Sequence, residues 1–306
     1  MTATTYPPLP HPGSFLKRAV VAAVVAGGFA ALCWADATGM LAARPAWWLA
    51  PVAVVIAWGG ATEVVRMAAA RGLRMRPFAV PAAAAILPLV PILAAGVGND
   101  PVASMGWVAL AVAAVLVMFF LVEIATYARD TGPLVRLAAG FSTAAAVGLP
   151  LAFMVDLRLA SKLPGPAGLV PLVSMLAVVK GGDIAAYVIG SLLGQHRMAP
   201  ALSPGKTWEG AAASLAASLV IAWGILAASG WATAWQPWGG WPAYGLAVGM
   251  AGMLGDLSES LVKRELAAKD SGRSLGALGG FLDLADATLL AAPVAWVLWV
   301  LGGPAA

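Results

Sequence analysis

The sequence predicts an all-α, polytopic integral membrane protein of about nine transmembrane helices, with its N-terminus in the cytoplasm. Three observations carry that prediction. The chain is 61% hydrophobic and only 10% charged, with a mean hydropathy of +0.88, whereas soluble domains carry roughly 25% charged residues. Apolar runs of helical length recur from end to end. Basic residues, finally, gather in alternate loops.

The expected spans are 19–35, 46–63, 78–98, 103–126, 135–155, 166–180, 210–229, 241–255 and 285–302, with a tenth, short helix at 183–194. Pro81, Pro88 and Pro91 mark the third as a candidate for kinking, which membrane helices tolerate when neighbours satisfy the freed backbone groups. Placing the N-terminus inside puts 15 of the 18 basic residues in cytoplasmic segments and leaves only Arg44, Arg158 and Lys162 outside. The uncharged loop 230–240, with Trp231, Trp235 and Trp238 and Trp241 following, reads as an outer aromatic belt. The net charge of +4 follows from this orientation and suits a membrane containing anionic lipid; it does not suggest nucleic acid.

Three regions follow: a proline-rich disordered cytoplasmic tail at 1–14, N-terminal membrane helices at 15–165, and a C-terminal catalytic membrane region at 166–306 with cytoplasmic motif loops. Lys17-Arg18 before an apolar run resembles a signal peptide, but no convincing small-residue cleavage site precedes Asp36. Cys33, the only cysteine, excludes an internal disulfide and a cysteine-rich metal site. No convincing internal repeat is present, which weakens a transporter reading.

Charge concentrates near the C-terminal end. Six of the 14 acidic residues (Asp256, Glu259, Glu265, Asp270, Asp283 and Asp286) lie within residues 256–286, with Lys263, Arg264, Lys269 and Arg273. Charges near a bilayer are costly unless paired, hydrated or bound to an ion, so the cluster is a candidate functional site. If the eighth helix continues past Gly255, then Asp256, Ser260 and Lys263 share a face, with Glu259 beside them. Asp283 and Asp286 share another face at the start of the last span. Convergent carboxylates without histidine suit a hard, oxygen-liganded cation such as Mg2+ holding a polyphosphate. Capping of the last helix is the simpler use of these two aspartates, and it explains one of them better than both.

A second motif runs from Asp183 and Tyr187 through Gly190 and Gly194 to Ser203-Pro204-Gly205-Lys206-Thr207-Trp208-Glu209-Gly210. It is not a P-loop, because Pro200 stands where that motif needs glycine. What remains is a turn presenting Lys206, Ser203 and Thr207 at a helix start, where they suit phosphate oxygens equally with ordinary helix capping.

These residues resemble the phosphatidate cytidylyltransferase (CDP-diacylglycerol synthase) family. Ser260, Lys263, Arg264, Lys269, Asp270, Gly272, Leu275, Gly276, Gly279, Gly280, Phe281, Asp283 and Asp286 match its signature without a gap, and the close resemblance covers about residues 180–290. Two positions depart: Leu278 replaces the family's histidine and Leu284 the arginine between its two aspartates. The resemblance implies cytidylyl transfer from CTP to phosphatidate, giving CDP-diacylglycerol and pyrophosphate, at a site facing the cytoplasm from a bacterial inner membrane. It implies Mg2+ on Asp256, Asp283 and Asp286, with a second cation as an option. Lys206, Lys263, Arg264, Lys269 and Asp270 are the implied catalytic group. Asp183, Tyr187, Ser203, Thr207, Ser260, Gly279 and Gly280 are the implied substrate contacts. Membrane lipid and a homodimer complete the expected partners, with no nucleic acid. Transfer to another lipid phosphate, a transporter and a catalytically impaired relative are the alternatives. The Asp-Gly-x2-Ala-Arg signature of CDP-alcohol phosphotransferases is absent from the sequence.

Overall fold

The computed structural model describes residues 12–40, 46–95, 101–127, 132–160, 165–231, 239–268, 271, 272, 274, 276 and 279–302. Residues 1–11 of the tail expected at 1–14, Trp235, Trp238, Lys269, Asp270, Arg273, Leu275 and Leu278 lie outside them.

Ten α-helices and one small β-hairpin make up the described fold: α1 (Pro12–Ala37), α2 (Leu49–Ala70), α3 (Ala79–Ile86), α4 (Val90–Ala94), α5 (Pro101–Ala125), α6 (Pro133–Ala160), α7 (Val170–Leu193), β1 (Arg197–Ala199), β2 (Ser203–Thr207), α8 (Trp208–Ala228), α9 (Gly240–Glu265) and α10 (Phe281–Leu301). Six helical segments, those of α2, α5, α6, α7, α8 and α10, are long and apolar enough to cross a membrane by length and composition. The chain is therefore a nearly all-α, polytopic membrane protein.

Three elements differ from expectation. The third span is broken: α3 passes through a 3-10 turn at Leu87–Leu89 into α4. Pro88 has no N–H to donate to the Ala84 carbonyl one turn earlier. Gly148 of α6 packs closest at that same carbonyl, where an added Cβ would come within 2.4 Å of Ala84 O. The segments 166–180 and 183–194, expected as a span and a separate short helix, form the single helix α7. Gly181 and Gly182, which suggest a break in sequence, instead allow α8 to approach. A Cβ on Gly181 would strike Ile221, and one on Gly182 would lie 2.8 Å from Ser214 Oγ. The loop before α8 is an antiparallel hairpin, with Arg197 opposite Thr207 and Ala199 opposite Ser203.

Helix α9, the eighth of the expected spans, does continue past Gly255, to Glu265. Its Gly245, Gly249 and Gly252 lie against Ser218, Ala222 and Val179, the small-residue contact by which membrane helices approach closely. Tyr244 is fully buried there, with its hydroxyl 2.7 Å from Ser174 Oγ. At one end of the bundle, Arg158 Nε donates to Asp36 Oδ2 (2.6 Å), and Asp156 accepts from Ser104 and Trp296. The charged side chains of the candidate site gather at the other end, where α2, α7 and α9 finish and α8 and α10 begin.

Candidate functional site

Thr207 sets up the hairpin edge of the site. It is extended at the N-cap of α8, and its Oγ1 accepts from Gly210 N–H at 3.1 Å. The side chain is buried against Gly190 and Gly194 of the α7 end, so Thr207 acts here as a helix cap. With the hairpin fixed, Lys206 reaches α9: its Nζ lies 2.8 Å from Asp256 Oδ2 and 3.5 Å from the Met253 carbonyl. Arg264 Nε donates to Leu202 O (3.1 Å) and ties the hairpin turn to the last turn of α9. Its role in the described structure is that anchoring.

Beyond Gly255, α9 turns charged, and a spacing of four brings Glu259 and Lys263 together at 2.8 Å. Lys263 also donates to Asp283 Oδ1 on α10 (3.0 Å). Asp283 Oδ2 accepts from Gly280 N–H (2.8 Å), so this residue is both the lysine's partner and the cap of its own helix. Asp286, one turn on, faces α7, with Oδ1 3.6 Å from Lys180 Nζ; the same ammonium lies 3.7 Å from Asp183.

Donor oxygens of Asp256, Glu259 and Asp286 all lie within 4.8 Å of one another. Two of these belong to the set expected from sequence. The third position is filled by Glu259, while Asp283 is turned toward Lys263 and Gly280. Glu259 is buried, and its Oε1 has no hydrogen-bond partner among the described residues. It lies past the apolar part of α9, and burial, with Asp283 alongside, pushes its carboxyl up to about 8 against the pull of Lys263. Among the described residues, five carboxylates (Asp183, Asp256, Glu259, Asp283 and Asp286) face three lysines (Lys180, Lys206 and Lys263), an excess of one negative charge with Glu259 protonated and of two once a cation displaces that proton. A hard divalent cation fits both that excess and the orphaned oxygen.

Ser203 starts β2 and Ser260 lies on α9, both half-buried. Tyr187 points outward from α7 and is 61% exposed. Gly279 has a φ of +89°, and a Cβ there would lie 2.4 Å from Asp283 Oδ2, so the turn into α10 needs glycine at this position.

Glu63 was missing from the sequence-derived site. It sits on α2, far away in sequence, and is 2% exposed. Its Oε1 accepts from Phe281 N–H (3.1 Å) and Ser274 Oγ (2.8 Å), and its Oε2 from Leu282 N–H (3.0 Å). With Asp283 on Gly280, two carboxylates thus satisfy the first donors of α10. The available signal was a lone carboxylate in an apolar run, which marks function by default in a membrane helix. Lys180 was also left out of the site; it closes the run 166–180 and carries the same kind of signal.

The sequence profile of the cytidylyltransferase family matches residues 16–301. Among curated relatives, a phosphatidate cytidylyltransferase of Brucella suis is 43% identical over 136 residues, covering 43% of this chain and 47% of the relative. One from Synechocystis is 37% identical over 137 residues, covering 44% and 45%, and one from Mycobacterium bovis 39% over 127 residues, covering 42% and 40%. The matched stretch spans less than half of each of these relatives.

Proposed function

Since the chain belongs to the cytidylyltransferase family, we propose that it transfers the cytidylyl group of CTP to phosphatidate, forming CDP-diacylglycerol and releasing pyrophosphate. The observation that carries this reading is the convergence of Asp256, Glu259 and Asp286 within 4.8 Å, flanked by Lys206 on Asp256 and Lys263 on Glu259. Three hard oxygen donors beside two ammonium groups match a triphosphate and its cation better than any use for an uncharged substrate. The names of the Brucella, Synechocystis and Mycobacterium relatives support the same substrate pair.

In this reading an ionised oxygen of the lipid phosphate attacks the α-phosphorus of CTP. A new P–O bond forms, the α–β bridging bond breaks, and its electron pair leaves with pyrophosphate. No side chain needs to act as nucleophile; the protein positions the reactants and balances charge as it builds on the leaving group. Asp256, Glu259 and Asp286 would hold Mg2+. Bound there, it would neutralise phosphate charge and orient the triphosphate. Lys206 and Lys263 reach phosphate oxygens by exchanging carboxylate partners for substrate. Lys180 keeps Asp183 and Asp286 from repelling one another. Lys263 with Asp283 fixes α9 to the start of α10. The site faces the cytoplasm, where CTP is available, and opens to the membrane that supplies the lipid.

The test is incorporation of α-labelled CTP into lipid by the purified chain in detergent, with a panel of lipid phosphates. Phosphatidate-dependent label in CDP-diacylglycerol is the expected result. Labelling only with a different lipid phosphate would move the assignment to that substrate.

A further inference from the structure

On the far side of α2 from the signature loop lies a second polar feature of opposite sign. Glu63 faces the loop before α10, while Val65 and Ala69, further along the same helix, line a cavity of about 460 Å3 with Arg74, Arg76, Thr126 and Arg136. The arginines are organised from within. Glu123 near the end of α5 is buried, and its two oxygens accept from Arg76 Nε (3.0 Å) and from Arg136 Nη2 (2.9 Å). Arg76 also donates to Thr126. Arg74 opens into the same space with neither a hydrogen bond nor an ion pair among the described residues. Among the described residues around this cavity, three guanidinium groups face one carboxylate.

We propose that this cavity is an accessory binding site for the phosphate of an anionic phospholipid, distinct from the carboxylate–lysine cluster. Guanidinium groups offer forked donors that match phosphate oxygens, and Glu123 holds two of them in place before any ligand arrives. The position favours a lipid over a soluble anion. The cavity lies where the membrane-length helices α5 and α6 end and begin. Val65, Met75 and Pro77 give it apolar lining. Phe78 and Leu134, next in sequence to the lining or two residues from it, are each 72% exposed and provide an apolar border for acyl chains. Basic pockets between membrane helices at headgroup level recognise anionic lipid by this combination. Because α2 carries Glu63 as well as Val65, a lipid seated here braces the helix that holds the glycine turn.

The test uses the full chain in phosphatidylcholine nanodiscs and a phosphatidylglycerol probe with a photoreactive headgroup, mapped by peptide mass spectrometry. The probe has no phosphate monoester and so is not a substrate of the proposed reaction. Cross-links should fall within residues 65–77, 126, 127 and 132–136 and be competed by unlabelled phosphatidylglycerol, but not by phosphatidylcholine. Arg74→Glu should weaken competition at least about fivefold, the factor expected from about 1 kcal/mol per basic residue near a lipid surface. Arg74→Lys should stay near the parent, and neither change removes a hydrogen bond or ion pair among the described residues. Equal competition by phosphatidylcholine, or unchanged competition in Arg74→Glu, would overturn the site. Displacement by inorganic phosphate as effective as by phosphatidylglycerol would show a soluble-anion site and reject the lipid assignment.

Discussion

Glu259 places one carboxylate oxygen on Lys263 and leaves the other buried with no hydrogen-bond partner among the described residues, and its carboxyl group lies within 4.8 Å of donor oxygens of Asp256 and Asp286. An unpaired buried acceptor is costly, and a cation shared with the two aspartates removes that cost. Asp256→Asn, Glu259→Gln and Asp286→Asn should therefore each lower turnover at least about tenfold, a change of about 1.4 kcal/mol in the barrier. Each should also raise the Mg2+ concentration needed for half-maximal rate. Asp283→Asn provides the contrast. Its carboxylate holds Lys263 and caps α10, so turnover should fall while the Mg2+ titration midpoint stays at the parent value. A shifted midpoint in Asp283→Asn, Asp256→Asn and Asp286→Asn, with none in Glu259→Gln, would restore the set expected from spacing. Leu284 stands between Asp283 and Asp286, where the family carries arginine. If Leu278 and Leu284 are simple losses, Leu278→His with Leu284→Arg should raise kcat/KM for CTP. Loss of expression or activity in that double variant would show a site rebuilt around leucine.

At the scale of elements, the start of α10 depends on a helix more than 200 residues earlier. Replacing Glu63 by Ala leaves the Phe281 and Leu282 N–H groups and the Ser274 hydroxyl without their acceptor. Each buried group left in this state costs about 1–3 kcal/mol. Glu63→Ala should lower the thermal midpoint in detergent and speed amide exchange at residues 281 and 282, whereas Glu63→Gln, which keeps one acceptor oxygen, should fall between it and the parent. Unchanged exchange at both amides would contradict the capping role. Helix positions were largely legible, because uninterrupted apolar runs report length directly. Breaks were less so. Gly181-Gly182 looks like an interruption until α8 is placed against it, and Pro88 ends α3 in a way that the adjacent Pro81 and Pro91 do not reveal. The hairpin at 197–207 carries too few residues for an alternating pattern to stand out.

Across the whole molecule, the site draws on α2, α7, the hairpin, α9 and α10, all contributing at one end of the bundle. Sequence spacing could find the residues of α9 and α10, because a single signature spans them. It placed Asp183 and Lys206 by a second motif, but could not supply Glu63 or pair Lys180 with Asp286, since those contacts exist only after helix packing. The opposite end carries its own buried pairs, Asp36 with Arg158 and Asp156 with Trp296. The proposed orientation places the first end in the cytoplasm. In a Cys33→Ser background, Gly205→Cys at an exposed position of β2 should then react only with reagent supplied from the cytoplasm, and Met40→Cys, exposed beyond α1, only from outside. The reversed pattern would invert the membrane topology.

The central claim, that this charged end performs cytidylyl transfer, is tested most directly by measuring pyrophosphate release and CDP-diacylglycerol formation together. The assay compares the folded parent and Asp256→Asn with CTP, phosphatidate and Mg2+. One pyrophosphate per CDP-diacylglycerol in the parent, falling at least about tenfold in the variant, is the predicted result. Pyrophosphate released without phosphatidate, or product formed equally well by Asp256→Asn, would contradict it.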